Sequence, residues 1–273
     1  MFTFIFVIFV LFLNILPFLF PICIDFITWN FFVGFLCYIL WFLISLILSW
    51  IFILNILFLA MWFSKKLRVD HPFRQKIIGS ISRLIIRFFR IKVIVHNKHL
   101  IPLDGRLIIY SNHKNNFDPF VIASIFHRTI SFTPKDELYR GKIGWFLSYC
   151  FNATNCIKIT RGNDREVIKN ILKSIDNIKK NLAFVIFHEG GVKHIVDDKI
   201  SHSLDGSFQI ALKSQSNILP ISLKGSCAMR GKCWFRCKKV EVFIHPIVTP
   251  EIYKNKNTQE INKIVTKIIN SVL

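Results

Sequence analysis

Apolar residues fill the first quarter of the chain almost without interruption. Within residues 1–64 the only charged residue is Asp25, and a stretch of this kind is typical of a membrane anchor rather than of a soluble core. The first part of it, residues 1–24, is interrupted by Asn14, Pro17 and Pro21, so its helix should be short or kinked. A positive start and a small-residue cleavage site are both missing, which argues against a secretory signal peptide.

The second part of this anchor, residues 26–63, would be roughly 57 Å long as one helix. A bilayer core is only about 30 Å thick, so we expect a bend or break near Gly34 and a spanning stretch of about twenty residues ending at Phe63. The basic residues that follow at once place this end, and the domain after it, on the cytoplasmic side of a cell membrane. They are Lys65, Lys66 and Arg68. The two hydrophobic segments could both span, or pair as helices within one leaflet.

Residues 65–90 form a basic connector whose pattern is helical. Apolar side chains recur at helical spacing from Ile77 to Phe88, and arginines and lysines are interleaved with them. Two interpretations are open: a basic amphipathic helix lying on the membrane surface, and an ordinary helix packed on the domain that follows.

Short apolar runs alternate with helical patterns over residues 91–273. This alternation predicts an α/β fold, with a mixed and largely parallel sheet flanked by helices. The predicted strands are Ile91–His96, Arg106–Ser111, Thr129–Thr133, Cys156–Thr160, Leu182–Phe187, Ile218–Leu223 and Val240–Pro246. The predicted helices are Pro119–His127, Gly144–Phe151, Asp164–Lys180, Ser207–Ser216 and Thr258–Val272.

Charge is concentrated in the part of the chain beyond the anchor. The whole chain has a formal charge of +20, and residues 65–273 carry 36 basic and 15 acidic side chains, a net +21. Each Lys or Arg close to an anionic lipid surface contributes about 1 kcal/mol of attraction. The charge therefore favours an anionic membrane or substrate, with nucleic acid as the alternative partner.

Cysteine spacing does not indicate a metal site. The chain has seven cysteines, and the loose cluster of Cys227, Cys233 and Cys237 lacks the two-residue gap typical of zinc ligands. We interpret them as structural thiols in a reducing cytoplasm.

His113 and Asp118 are the first candidates for chemistry. His113 follows a predicted strand, and Asp118 stands before Pro119, where it could also cap the next helix. A loop of this length can bring the carboxylate to one imidazole nitrogen, which leaves the other nitrogen to accept a proton. This is the histidine–aspartate half of a serine triad, and the nucleophile could be an alcohol of the substrate.

Two further strand ends carry residues that could bind an anion. Phe187-His188-Glu189-Gly190-Gly191 closes one strand, and its glycines allow the backbone to approach a ligand or an oxyanion closely. Arg161 lies at the other strand end, before a helix whose start carries the capping pair Asn163 and Glu166. An arginine beside a helix N-terminus is suited to phosphate.

Together these motifs resemble the glycerolipid acyltransferase family, whose best-known members act on 1-acylglycerol 3-phosphate. Four blocks occur in the family's order over roughly residues 90–225, and a Lys-x-Glu-Leu stretch begins at Lys135. The four blocks are His113 to Asp118, Ile157-Lys158-Ile159-Thr160-Arg161, Phe187-His188-Glu189-Gly190 and Leu219-Pro220-Ile221.

The resemblance implies a general base at His113, oriented by Asp118, and an acyltransferase domain over residues 91–273. It assigns acceptor and phosphate binding to a second set of residues and the shaping of the acyl site to the Pro220 strand. That set is Arg161, Glu189 and Gly190. We expect Lys135 or Lys193 to join Arg161 in holding the acceptor phosphate. The resemblance also implies acyl-CoA or acyl carrier protein as thioester co-substrate, no cofactor and no metal.

This sequence departs from the family pattern around residue 190. His188 replaces the usual proline, and Gly191-Val192-Lys193 replaces the usual Thr-Arg-Ser, so that Lys193 could substitute for an arginine. A lysine gives a point charge instead of a bidentate fork. The acceptor is therefore less narrowly defined than the reaction, and glycerol 3-phosphate or another lyso-lipid is the alternative to a lysophosphatidate.

Other functions fit less of the sequence. A serine hydrolase would need a Gly-x-Ser-x-Gly elbow, and a phosphate-loop enzyme a Gly-x4-Gly-Lys-Ser/Thr motif, and the chain contains neither. A metal enzyme using His113, Asp118, His188 and His194 is a further alternative. A membrane-tethered nucleic-acid binder would explain the charge but leave the four ordered blocks unexplained.

Overall fold

The computed structural model describes residues 1–19, 31–158, 164–192, 196–231 and 236–273. Within them the chain divides into two compact units, Met1–Trp62 and Phe63–Leu273.

The described residues of the first unit form two apolar helices. Helix α1 spans Phe2–Ile15 and tightens into a 3-10 turn at Leu16–Leu19, in agreement with the short helix expected from Pro17. Helix α2 spans Phe31–Lys65. The rings of Phe9 and Phe52 stack at 4.1 Å between centroids.

Two hydrogen bonds join these helices inside an otherwise apolar contact. Asn14 Nδ2 donates to Ser45 Oγ at 2.8 Å, and Trp41 Nε1 donates to the Leu13 carbonyl at 2.9 Å. Polar side chains in a medium without water must find partners within the protein. These bonds therefore fit a helix pair that sits in lipid.

The predicted break near Gly34 is wrong. Helix α2 runs unbroken for 35 residues. Gly34 lies in its first turn, where a glycine does not interrupt the rest of the helix. Within the described residues, Phe32–Lys65 is the one helix long and apolar enough to cross a membrane. Helix α1, with 14 residues, would reach only about 21 Å at 1.5 Å per residue.

The second unit is built on a six-stranded mixed sheet. The strand order is β1-β6-β5-β2-β4-β3, and every neighbouring pair is parallel except β5 with β6. The α/β, largely parallel fold predicted from the sequence is confirmed. The strands are β1 Ile91–His96, β2 Leu107–Ser111, β3 Ile130–Phe132, β4 Ala183–Phe187, β5 Asn217–Lys224 and β6 Lys238–Ile244.

The described part of one predicted strand does not belong to this sheet. Cys156–Lys158 belongs to no strand, and the rest of the segment predicted as Cys156–Thr160 lies outside the described residues. Ile157 makes a backbone hydrogen bond of 3.1 Å to the Phe132 carbonyl, so the segment runs beside the end of β3.

Helices cover both faces of the sheet. The helices among the described residues of the second unit are α3 Pro72–Phe88, α4 Asp118–Ile125, α5 Glu137–Arg140, α6 Gly144–Ala153, α7 Asp164–Lys179, α8 Gln209–Ser214, α9 Pro250–Tyr253 and α10 Thr258–Asn270. Alternate residues of β2 supply two cores: Ile109 packs with residues of α4, and Ile108 packs with residues of α10. Because β2 is buried on both faces, its polar residues are confined to the end where it leaves the sheet.

Helix α3 packs on the domain, which decides between the two interpretations of the connector. Ile77 and Leu84 are fully or almost fully buried, so the apolar face is taken up by the core. Arg74 is also buried, and its guanidinium donates to the carbonyls of Leu67 and Ala153. Arg74, one of the interleaved arginines, therefore joins Leu67 to Ala153 by hydrogen bonds and does not contribute a charge to the surface.

Candidate active site

Two parallel strands end side by side at one edge of the sheet. Ser111, the last residue of β2, is in register with Phe187, the last residue of β4. The segments after them, which carry His113 and Glu189, therefore leave the sheet together. In α/β sheets this carboxyl edge is where ligands usually bind.

Asn112 fixes the start of the first of these segments. Its amide donates to the Leu223 carbonyl at 2.9 Å and accepts from the Leu223 N–H at 2.8 Å. This reciprocal pair ties the end of β2 to β5, so the backbone of His113 has little freedom.

The loop after His113 folds back and brings Asp118 to its imidazole. Asp118 Oδ2 lies 3.0 Å from His113 Nδ1 and accepts the backbone N–H groups of Lys114 and Asn115, each at 2.8 Å. A carboxylate accepts and cannot donate, so Nδ1 carries the proton and Nε2 is the nitrogen left to act as a base. The two predicted residues therefore meet in the geometry expected for a base and its orienting partner.

Asp118 does not cap helix α4, contrary to the expectation from Asp118-Pro119. Phe117 occupies the N-cap position, and no side-chain cap is made there. The carboxylate turns toward the preceding loop because the bonds there, together with the imidazole, satisfy its Oδ2 while the side chain is fully buried.

A serine far away in sequence completes the environment of Asp118. Ser226 Oγ donates to Asp118 Oδ1 at 2.5 Å, and both residues are fully buried. Asp198 holds the loop that presents this serine, since its carboxylate accepts the N–H groups of Gly225 at 2.6 Å and Cys227 at 2.7 Å. Neither Ser226 nor Asp198 stood out in the sequence.

The imidazole itself lies in a partly covered position. The ring of His113 stacks on Phe187 at 4.2 Å between centroids, and its side chain is 15% exposed, compared with 0% for Asp118. Phe187 covers one face of the ring and the Asp118 carboxylate occupies Nδ1, so Nε2 is the nitrogen left for a substrate to approach. A substrate hydroxyl could reach it without exposing Asp118 to water.

Glu189 and Lys114 form a buried ion pair beneath the histidine. Glu189 Oε2 lies 2.5 Å from Lys114 Nζ, and Oε1 accepts the His113 N–H at 2.8 Å. The side chains are only 1% exposed for Lys114 and 6% for Glu189. Burial raises the pKa of Glu189, while Lys114 and the His113 N–H oppose the rise. Both oxygens of this carboxylate are therefore occupied within the protein, and the sequence had given Lys114 no role.

The glycine pair after Glu189 makes a turn that only glycine accommodates easily. Gly190 and Gly191 have φ of 70° and 131°, in the region that favours glycine. The Gly190 N–H donates to the Phe187 carbonyl at 3.2 Å, so this N–H closes the turn. A Cβ built on Gly191 would overlap the ammonium group of Lys135, which lies directly against the turn.

The other predicted phosphate ligands, Arg161 and Lys193, lie outside the described residues, as do Asn163 of the capping pair and His194. Their proposed roles remain predictions. Within the part of the chain that the structure describes, no group of three or more His, Cys, Asp or Glu is placed to hold a metal ion.

His188, which stands where the family has a proline, is buried and points away from solvent. Its Nε2 lies 3.2 Å from Thr266 Oγ1, which donates to Asn262 Oδ1 at 2.9 Å. The ring packs edge-on against Tyr110 and Phe208. Burial lowers the pKa of His188 from 6.5 to about 4, so the folded protein holds it neutral.

This shift predicts a loss of stability in acid. Above pH 6.5 both folded and unfolded states hold His188 neutral; below it the unfolded state gains a proton that the folded state does not bind until about pH 4. The free energy of unfolding should therefore fall by about 2 kcal/mol between pH 7.5 and pH 5 through this residue alone. Thermal unfolding at both pH values should give a smaller drop for His188→Gln than for wild type. The exposed control His202→Gln should behave as wild type, and an unchanged drop in His188→Gln would contradict the assignment.

Comparison with known proteins identifies a family for this part of the chain. Residues 92–224, which run from β1 to the end of β5, match the family described as Acyltransferase. The chain carries an acyltransferase-family domain. The family resemblance read from the four blocks is thereby confirmed, and the histidine–aspartate pair lies inside the matched region.

Relatives of the acyltransferase domain share one description. A probable 1-acyl-sn-glycerol-3-phosphate acyltransferase of Mycoplasma genitalium is 29% identical over 141 residues, 50% of this chain and 50% of the relative. The 1-acyl-sn-glycerol-3-phosphate acyltransferase of Saccharomyces cerevisiae is 23% identical over 60% of this chain and 55% of its own length. The chain thus spans about half the length of the curated relatives it matches.

A solved structure shares the fold of the acyltransferase domain. The crystal structure of the 1-acyl-sn-glycerophosphate acyltransferase from Thermotoga maritima superposes with a TM-score of 0.55 and 23% identity. The match covers 79% of this chain and 92% of that chain. At this identity the likeness concerns the fold.

Proposed function

We propose that this protein is an O-acyltransferase that moves a fatty acyl group from a thioester to the hydroxyl of a lysophospholipid, with 1-acylglycerol 3-phosphate as acceptor and phosphatidate as product. The observation that carries the proposal is the His113–Asp118 pair at the carboxyl edge of the sheet, 3.0 Å apart. The matched family and the printed descriptions of the relatives support the choice of reaction and acceptor.

The chemistry needs one base and no acyl-enzyme. His113 Nε2 takes the proton of the acceptor hydroxyl as that oxygen attacks the thioester carbonyl carbon. The tetrahedral intermediate then expels the thiolate, which receives the proton from His113, so that an ester and a free thiol are formed. Acyl-CoA or acyl carrier protein would supply the thioester, and no metal or other cofactor takes part in these steps.

Three residues that do not touch the substrate would hold the base in place. Glu189 fixes the His113 backbone through its N–H, and Lys114 fixes Glu189 in turn. Ser226 donates to the Asp118 oxygen that His113 does not use. In this proposal Glu189 is a positioning residue, whereas the family resemblance implied that it binds the acceptor.

Lys135 is the described residue that is best placed to receive the acceptor phosphate. Its ammonium lies on the Gly190–Gly191 turn, which follows directly on Glu189. An ammonium group here can approach a phosphate held near His113. Arg161 and Lys193 complete the proposed phosphate site by their place in the sequence.

Gly191→Ala is predicted to act like Lys135→Ala. The added methyl group would occupy the position of the Lys135 ammonium and would strain a residue at φ 131°, so the lysine must move. We expect the KM for a phosphorylated acceptor to rise at least about tenfold, as a lost charge-assisted contact of roughly 1.4 kcal/mol implies, with a smaller change in the KM for the thioester. Gly141→Ala, where a methyl group would meet nothing within 4 Å, is the matched control. A rise confined to the KM for the thioester would instead assign Lys135 to the binding site of the acyl donor.

The proposed function is tested by the products of the purified full-length protein. It should be offered 1-acylglycerol 3-phosphate, glycerol 3-phosphate and a lysophosphatidylcholine, each with acyl-CoA and with acyl carrier protein as donor. Phosphatidate from the first acceptor is the expected product. Acylation of glycerol 3-phosphate alone would show that it is the acceptor in place of 1-acylglycerol 3-phosphate. The absence of any ester product would refute the proposed reaction.

Attachment to a membrane with the catalytic domain facing the cytoplasm is part of this proposal. Helix α2 is apolar along its length and ends at Lys65, followed by further basic residues, which is the arrangement typical of a cytoplasmic helix end. A lipid acceptor and a lipid product also favour a site at the membrane surface, because each methylene moved into water costs about 0.8 kcal/mol.

A further inference from the structure

The turn between α5 and α6 exposes large apolar side chains. Leu138, Ile143 and Trp145 are 46%, 62% and 70% exposed, all within one short stretch of the second unit. The turn is closely built: the Gly144 N–H donates to the Gly141 carbonyl at 2.7 Å, and a methyl group on Gly144 would collide with the Tyr139 carbonyl. The fold thus holds these side chains outward.

Helix α6 connects this turn to Lys65, which is the last residue of the apolar helix α2 and belongs to the second unit. Trp145 and Tyr149 lie one turn apart on the same face of α6, and the ammonium of Lys65 lies 3.6 Å from the centre of the Tyr149 ring. Tyr149 therefore lies beside Lys65, and Trp145 lies on the same face of α6 as Tyr149.

A second connection fastens α6 at its other end. The Ala153 carbonyl accepts from Ser64 Oγ at 3.5 Å and from the buried guanidinium of Arg74. Because α6 is held at Tyr149 and again at Ala153, the direction of Trp145 relative to Ser64 and Lys65 is fixed by the fold and not by a flexible loop.

We propose that the α5–α6 turn, with Ile143 and Trp145 at its tip, inserts into the interfacial layer of an anionic phospholipid membrane, as a contact additional to α2. Tryptophan and tyrosine prefer this layer, where one end of the ring is apolar and the other wet. Lys142 is exposed beside Ile143, and Lys65 lies over Tyr149, so basic groups stand where lipid head groups would be. Glu137 is the exposed acid of the segment, while Asp136 is paired with Arg140 and Lys158.

The position of the turn matters for the site. The same segment begins at Lys135, whose ammonium lies against the Gly190–Gly191 turn. Insertion of the tip would bring the proposed phosphate position close to the layer of lipid phosphates, so that a lyso-lipid reaches it with its acyl chain still in the membrane. This consequence rests on the proposed function, whereas the insertion itself does not.

The test uses the fluorescence of Trp145 in the full-length protein reconstituted in vesicles of phosphatidylcholine and phosphatidylglycerol. The signal of Trp145 is the difference between wild type and Trp145→Phe, since the other five of the six tryptophans are common to both. We expect this signal to be quenched by lipids with brominated acyl chains and protected from acrylamide. The matched control is Leu103→Trp in the Trp145→Phe background, because Leu103 is 76% exposed and precedes β2, at the opposite end of that strand from His113. Its signal should be quenched by acrylamide and not by brominated lipid.

Two results would overturn the proposal. One is a Trp145 signal that acrylamide quenches in vesicles as strongly as it quenches the Leu103→Trp control. The other is protection of Trp145 that already occurs in detergent and increases with protein concentration, which would assign the surface to a second copy of the chain. Because the readout needs no turnover, a failure of the proposed reaction would be seen separately in the product assay.

Discussion

Folded His113→Ala protein is expected to turn over at least about a hundredfold more slowly than wild type. A positioned general base contributes roughly a factor of 10² to 10⁴, and His113 is the group whose free nitrogen faces the proposed acceptor hydroxyl. The binding residues remain, so the KM values should change much less than kcat. Steady-state kinetics on the purified protein, with thermal unfolding to confirm the fold, would measure this.

Variants around His113 should follow a graded order. Asp118→Asn should also be severe, because an amide can present its N–H to Nδ1 and favour the wrong tautomer. Ser226→Ala should be milder and should lower kcat, since Ser226 acts only through Asp118. His127→Ala removes an exposed histidine beyond the end of α4 and should have wild-type activity. Near-normal turnover in folded His113→Ala protein would refute the mechanism.

The fold was predictable because strand and helix patterns alternate so regularly along the second unit. Each observed strand overlaps a predicted one, and β1 has the predicted bounds, Ile91–His96. A mixed sheet was predicted, but not which strands pair antiparallel, since that depends on the strand order that places β6 beside β5. The predicted break in α2 failed for a different reason: a length argument about the bilayer says nothing about whether the helix itself continues.

Contacts within the candidate site were predictable only where its residues are close in sequence. His113 and Asp118 are five positions apart, so a loop could be seen to join them. Ser226 reaches Asp118 across 108 positions, and Asp198 acts through the backbone of the same distant loop. A serine and an aspartate in polar loops carry no local signal, and only the sheet order brings these loops together.

Lys114 is the clearest case of a residue whose role the sequence concealed. It lies inside the His113 to Asp118 block, where a basic residue next to a proposed phosphate site is a natural candidate for binding an anion. In the structure it is 1% exposed and faces Glu189. A charge at this depth is stable only with its partner, so the pair should behave as one unit.

Removing one member of this pair is therefore expected to cost far more than removing both charges. Glu189→Gln keeps an oxygen for the His113 N–H but leaves the Lys114 ammonium buried without a counter-charge, and Lys114→Met leaves the Glu189 carboxylate in the same position. Each should lower the free energy of unfolding by about 3–5 kcal/mol. At roughly 2–4 °C per kcal/mol for a unit of this size, Tm should fall by roughly 6–20 °C.

The double variant Lys114→Met/Glu189→Gln should recover most of that loss, because the two side chains keep their volumes and no charge remains unpaired. Thermal unfolding of wild type, both single variants and the double variant gives the coupling directly. Additive losses in the four proteins would contradict a buried pair that acts as a unit.

Kinetics of the double variant then separate the two roles considered for Glu189. If it positions His113, the amide oxygen that Glu189→Gln retains keeps the acceptor KM near that of wild type, whereas a carboxylate that binds the acceptor directly would leave that KM raised even though the fold is restored.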